Sequence, residues 1–128
     1  MASMSAENAF DILGELVGPP DKEVLADPVA LDAFVEATTY AFLEGIYGFY
    51  DDDQAFYKPW GFDPEAISVP VEIFYGDQDK MVPPTHGAWL ASHLKTARTF
   101  HDEREGHLSI WMNHFDEVAK ALTSTAGG

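Results

Sequence analysis

The sequence predicts a mixed α/β chain: a helical first segment, residues 1–62, then a βαβα portion with two parallel strands, residues 63–128. Three observations carry this. Apolar residues of the first segment recur near the 3.6-residue helical period. The run Ile67-Ser68-Val69-Pro70-Val71-Glu72-Ile73-Phe74-Tyr75 is β-branched and aromatic, as suits a strand buried on both faces. Strand, helix, strand and helix then follow one another within about 55 residues, the pattern of a right-handed parallel crossover.

The elements follow in chain order. Residues 6–17 read as a short helix with Phe10, Leu13 and Val17 on one face, ended by the breaker Gly18-Pro19-Pro20. Asp27-Pro28 opens a second helix, with Asp as N-cap and Pro at the first helical position. Its apolar positions run from Leu31 through Phe34, Val35, Phe42 and Ile46 to Phe49. Asp51-Asp52-Asp53 reads as a solvated loop, because the spaced ligands and distal Glu of a calcium loop are missing. A turn spans 60–64, and strands are expected at 71–75 and 97–101. Helices are expected at 85–94 and 109–122, the last with Trp111, Phe115, Val118 and Leu122 on one face and Ser109 as its cap. Residues 124–128 read as a frayed tail. Trp60, Phe62, Trp89 and Trp111 are expected in the core. Tyr47, Phe49, Tyr50, Phe56 and Tyr57 are expected to pack between helices or to line a lid.

Composition bounds the function. Of 128 residues, 46% are hydrophobic, which suits a globular chain. Seven basic side chains face 22 acidic ones, a formal net charge of -15. Such a surface repels nucleic-acid backbones and anionic membranes, so neither is an expected partner. It serves solubility, or hydration in a high-salt host. Without cysteine there is no disulfide, thiolate nucleophile or zinc–thiolate site. Neither a signal peptide nor an apolar span is expected, so the reading is a soluble, cytoplasmic protein.

Ligands of parallel sheets bind at the C-terminal ends of the strands. Two polar loops fall there, at 76–84 and 102–107. The first carries Asp77 and Asp79 after Gly76, expected to turn the chain sharply. The second carries Gly106 and His107, with the glycine freeing the backbone that presents the imidazole. A carboxylate beside a histidine is the orienting half of a catalytic triad.

The run from Val69 to Pro83, V-P-V-E-I-F-Y-G-D-Q-D-K-M-V-P, is similar to the strand and G-x-x-D-x-x-V-P loop of α/β-hydrolase-fold proteins. Gly106-His107-Leu108-Ser109 is similar to that family's histidine loop, and 28 residues separate Asp79 from His107, as in the family. The resemblance implies a partial α/β-hydrolase fold, cap-like helices followed by the βαβα unit. It implies Asp79 as triad acid and His107 as general base, with Asp77 two residues too early. It also implies hydrolysis of an ester-like or other acyl bond in a small-molecule substrate, with no cofactor and no metal.

The family's nucleophile lies in G-x-S-x-G, and none of the six serines has glycines at both flanking positions. The oxyanion-hole loop is missing as well. The expectation is therefore a C-terminal portion supplying acid and histidine: a truncated gene, a mis-called start or one piece of a split enzyme, inactive alone. Two other classes stay open. One is a non-catalytic binding module, self-associating through an exposed strand edge into a homo-oligomer. The other is a metal-dependent enzyme using the five histidines and many acids, although no recognised zinc spacing occurs among them.

Overall fold

A computed structural model describes residue 5 and residues 8–124. The chain is mixed α/β: seven α-helices and one two-stranded parallel sheet among the described residues. Four helices come first: α1 (Ala9–Leu13), α2 (Pro19–Val24), α3 (Pro28–Ala41) and α4 (Tyr47–Phe56). Then follow β1 (Val71–Gly76), α5 (Pro84–His93), β2 (Ala97–Asp102), α6 (Ser109–Asn113) and α7 (Phe115–Ser124).

Local chemistry explains the starts of α2 and α3. Asp27 Oδ1 accepts from the backbone N–H groups of Val29 at 2.7 Å and Ala30 at 3.2 Å, and Pro28 occupies the first turn of α3. The expected breaker at Gly18-Pro19-Pro20 instead starts a helix. Gly18 is its N-cap, and the two prolines sit where N–H groups lack helical partners anyway. The helix expected at 6–17 is shorter, α1 followed by a 3-10 turn at Gly14–Leu16; its first two expected residues lie outside the described ones, as do 125–128 of the expected tail.

Two expectations in the first segment are corrected. The long apolar stretch is two helices, because α3 ends at Ala41 and Gly45 turns the chain with φ of 96°. Asp51, Asp52 and Asp53 are helical, inside α4, rather than in a loop. The third concerns the last helix, which breaks at His114 (φ -121°, ψ 28°) into α6 and α7.

The strands pair in register from Val71 opposite Ala97 to Gly76 opposite Asp102. Side chains alternate between faces. Ile73 and Tyr75 share one face, which α5 covers, and Tyr75 lies against Gly87 of that helix. Phe74 and Phe100 share the other, stacked with ring centroids 5.3 Å apart and capped by Trp111 at 6.1 Å. The buried apolar core is small: Ala9, Val17, Leu25, Ile73, Leu94, Ile110 and Val118.

The expected core aromatics are not buried. Trp60, Phe62, Trp89 and Trp111 each expose about half their surface, and the aromatic side chains at 47, 49, 50, 56 and 57 are exposed too. Two strands offer too little sheet to cover them, so they stack on nearby partners: Trp60 on Phe62 at 5.7 Å, Trp89 on His93 at 4.0 Å. No helix among the described residues is long and apolar enough to cross a membrane.

Candidate functional site

The two loops meet at the C-terminal end of the sheet. Their backbones extend the ladder, with the N–H of Asp77 donating to Asp102 O at 3.3 Å and that of Gln78 to Glu105 O at 2.9 Å. Gly76 was expected to supply a sharp turn, yet its φ is not positive. It is needed because a Cβ there would overlap the Glu105 backbone of the neighbouring loop.

Asp79 uses both carboxylate oxygens. Oδ1 accepts the N–H groups of Met81 and Val82, both at 2.8 Å, and so fixes the loop. Oδ2 lies 2.9 Å from Nδ1 of His107. The aspartate side chain is only 11% exposed and the imidazole 37%, so the pair is sheltered at one end and open at the other. With Nδ1 bonded to a carboxylate, neutral His107 carries its proton there and keeps Nε2 as acceptor. Such a dyad can take a proton from an incoming group at Nε2 and stabilise the resulting imidazolium. Among the described residues no side-chain hydroxyl bonds to that nitrogen.

Asp77 turns elsewhere. Its Oδ1 lies 2.8 Å from His101 Nε2, in a second and more exposed His–carboxylate pair, with Tyr75 stacked on the imidazole at 4.6 Å. His86 is exposed on the first turn of α5, and His93 Nδ1 lies 2.8 Å from Trp89 O.

Comparison with protein-family models, curated proteins and solved structures finds no match. The site therefore rests on its own geometry.

One residue that shapes it carries no signal in the sequence. Asp21, on α2, is fully buried. Its carboxylate accepts three backbone N–H groups of the histidine loop: His107 at 3.1 Å, Leu108 at 2.9 Å and Ser109 at 3.0 Å. The last two stand at the start of α6, where they have no helical partner. Ser109, expected to cap that helix, is instead buried, and its Oγ accepts the Gly106 N–H at 2.7 Å. A buried hydroxyl engaged this way is not presented as a nucleophile. Gly106 serves space rather than backbone freedom: a Cβ there would stand 2.5 Å from Asp21 Oδ1.

Behind the histidine loop lie Asp102, Glu105 and His114. Arg104 binds Asp102 through Nε at 3.1 Å and Nη2 at 2.8 Å, and these bonds hold the Asp102 carboxyl well below the usual carboxylate range. Asn113 Nδ2 donates to both Glu105 oxygens at 3.1 Å.

Proposed function

We propose that this chain is the acid-and-histidine portion of an α/β-hydrolase-fold enzyme that cleaves ester-like or other acyl bonds. The observation that carries the reading is the 2.9 Å bond between Asp79 Oδ2 and His107 Nδ1, made at the strand ends where such sheets bind ligands. In this reading the helical segment 1–62 is cap-like. A serine carried by a complementing polypeptide attacks the acyl carbon, and His107 Nε2 takes its proton and returns it to the leaving group. Asp79 holds the imidazole in the productive tautomer. Asp21 is a positioning residue, fixing the backbone from which His107 projects.

The test is hydrolysis of a chromogenic short-chain ester. The chain alone gives no turnover above buffer, and a complementing polypeptide that carries the nucleophile restores it. Asp79→Asn and His107→Ala then each lower kcat by about a thousandfold or more. Restored activity that survives both substitutions sinks the assignment.

A second reading, a non-catalytic association module, is favoured by the exposed aromatic surface of α3 and α4, including Tyr40, Phe49, Tyr50 and Phe56. In that case no complementing chain yields esterase activity.

A further inference from the structure

The strongest unassigned cluster is Asp102, Glu105 and His114, brought together from the end of β2, the histidine loop and the junction of α6 with α7. His114 Nε2 is buried and is the one buried side-chain polar atom without a hydrogen-bond partner among the described residues. It faces Glu105 Oε1 at 3.5 Å and Asp102 Oδ2 at 3.8 Å. Both carboxylates are sheltered, with side chains 13% and 10% exposed for Asp102 and Glu105. We propose that these three residues bind a divalent transition-metal ion, zinc fitting best, through His114 Nε2, Glu105 Oε1 and Asp102 Oδ2.

The distances favour a metal over a proton. A proton shared between imidazole and carboxylate needs a separation of about 2.7–3.2 Å, less than either gap. Ligands held about 2.0–2.2 Å from a tetrahedral ion lie about 3.3–3.6 Å from one another. The three donor atoms all lie within 4.8 Å of each other, so small side-chain adjustments close the polyhedron. Charge agrees. Two sheltered carboxylates and one neutral imidazole carry two negative charges, which a dication balances. Arg104 offsets Asp102 only from outside, with a side chain 84% exposed, and Asp102 Oδ2 retains a second lone pair beside that contact.

The surroundings are those of a built ligand set. Asn113 orients Glu105 from behind. Glu117 Oε2 stands 4.0 Å from His114 Nδ1, the side from which outer carboxylates orient metal-bound imidazoles. Phe100 lies against the ring at 4.7 Å between centroids. One nitrogen and two oxygen donors suit zinc, cobalt or manganese, whereas magnesium and calcium favour oxygen alone. The ion would tie the end of β2 to the α6–α7 junction and leave a coordination position open. Sequence spacing concealed it, because D-x-x-E followed nine residues later by His matches no recognised zinc pattern.

The full chain, stripped with chelator, is titrated calorimetrically with zinc chloride and, in parallel, with cobalt for its visible absorption. One equivalent is expected to bind and to raise the melting temperature. His114→Ala and the isosteric Glu105→Gln each weaken binding at least tenfold and abolish the thermal shift, while His101→Ala and His107→Ala leave both unchanged. Should His114→Ala fail to fold, Glu105→Gln and Asp102→Asn carry the comparison. Absence of binding at millimolar zinc overturns the proposal. So does binding that survives Glu105→Gln, or binding lost with His101 or His107.

Discussion

At Asp21 a single buried carboxylate satisfies three backbone N–H donors contributed from more than eighty residues away. Asp21→Ala leaves all three unpaired and opens a cavity, a loss of about 3 kcal/mol read as a lower urea midpoint. Asp21→Asn keeps one oxygen acceptor and costs less. The crowding at Gly106 supplies an internal control. Gly106→Ala is strongly destabilising in the native background, because its methyl meets the carboxylate. In the Asp21→Ala background the obstruction is gone, so the two substitutions couple by at least about 1 kcal/mol. Additive effects would mean that the loop is held by something other than this carboxylate. The contact between Asp79 and His107 was legible because each sits in a short local pattern at a strand end. Asp21 was not, since an acid after two prolines looks the same whether it faces solvent or a distant loop.

Among elements, the strands and α5 were legible to within a residue or two, because a β-branched run and a proline-led helix state their own limits. The Asp27-Pro28 start of α3 was legible for the same reason. Asp27→Ala removes both cap acceptors at once and is expected to cost about 1 kcal/mol, with Asp27→Ser restoring most of it in the same denaturation assay. An unchanged midpoint for the alanine variant would show that α3 is held by its neighbours rather than by its cap. Helix ends set by tertiary contacts were not legible. The break at His114 has no glycine or proline to mark it; the residue there turns its imidazole toward Asp102 and Glu105 instead of continuing the helix. Asp51-Asp52-Asp53 was misread because composition suggested a loop, while the aromatic residues on either side continue the helix through it.

For the whole molecule, accessible area is the telling quantity. The chain exposes 9282 Å², whereas a compact monomer of 14.1 kDa exposes about 6,700 Å². The excess, about 2,500 Å², is as much as a large subunit interface takes from one partner. It includes exposed aromatics of α3 and α4 and the outer edges of β1 and β2, each of which, among the described residues, pairs only with the other strand. Opposing association is the formal charge of -15, which makes two copies repel. Salt decides between these effects, since the screening length falls from about 10 Å at 0.1 M to about 3 Å at 1 M while apolar contact is not weakened. Sedimentation velocity is therefore expected to show monomer in dilute buffer and dimers or larger species near molar salt, with dye binding to exposed apolar surface falling in step. On the proposed hydrolase reading, a nucleophile-bearing partner covers the same surface and suppresses that salt-driven association. A chain that stays monomeric at every salt concentration and binds no such dye would mean that this surface is closed in solution, and the proposed association would lose its physical basis.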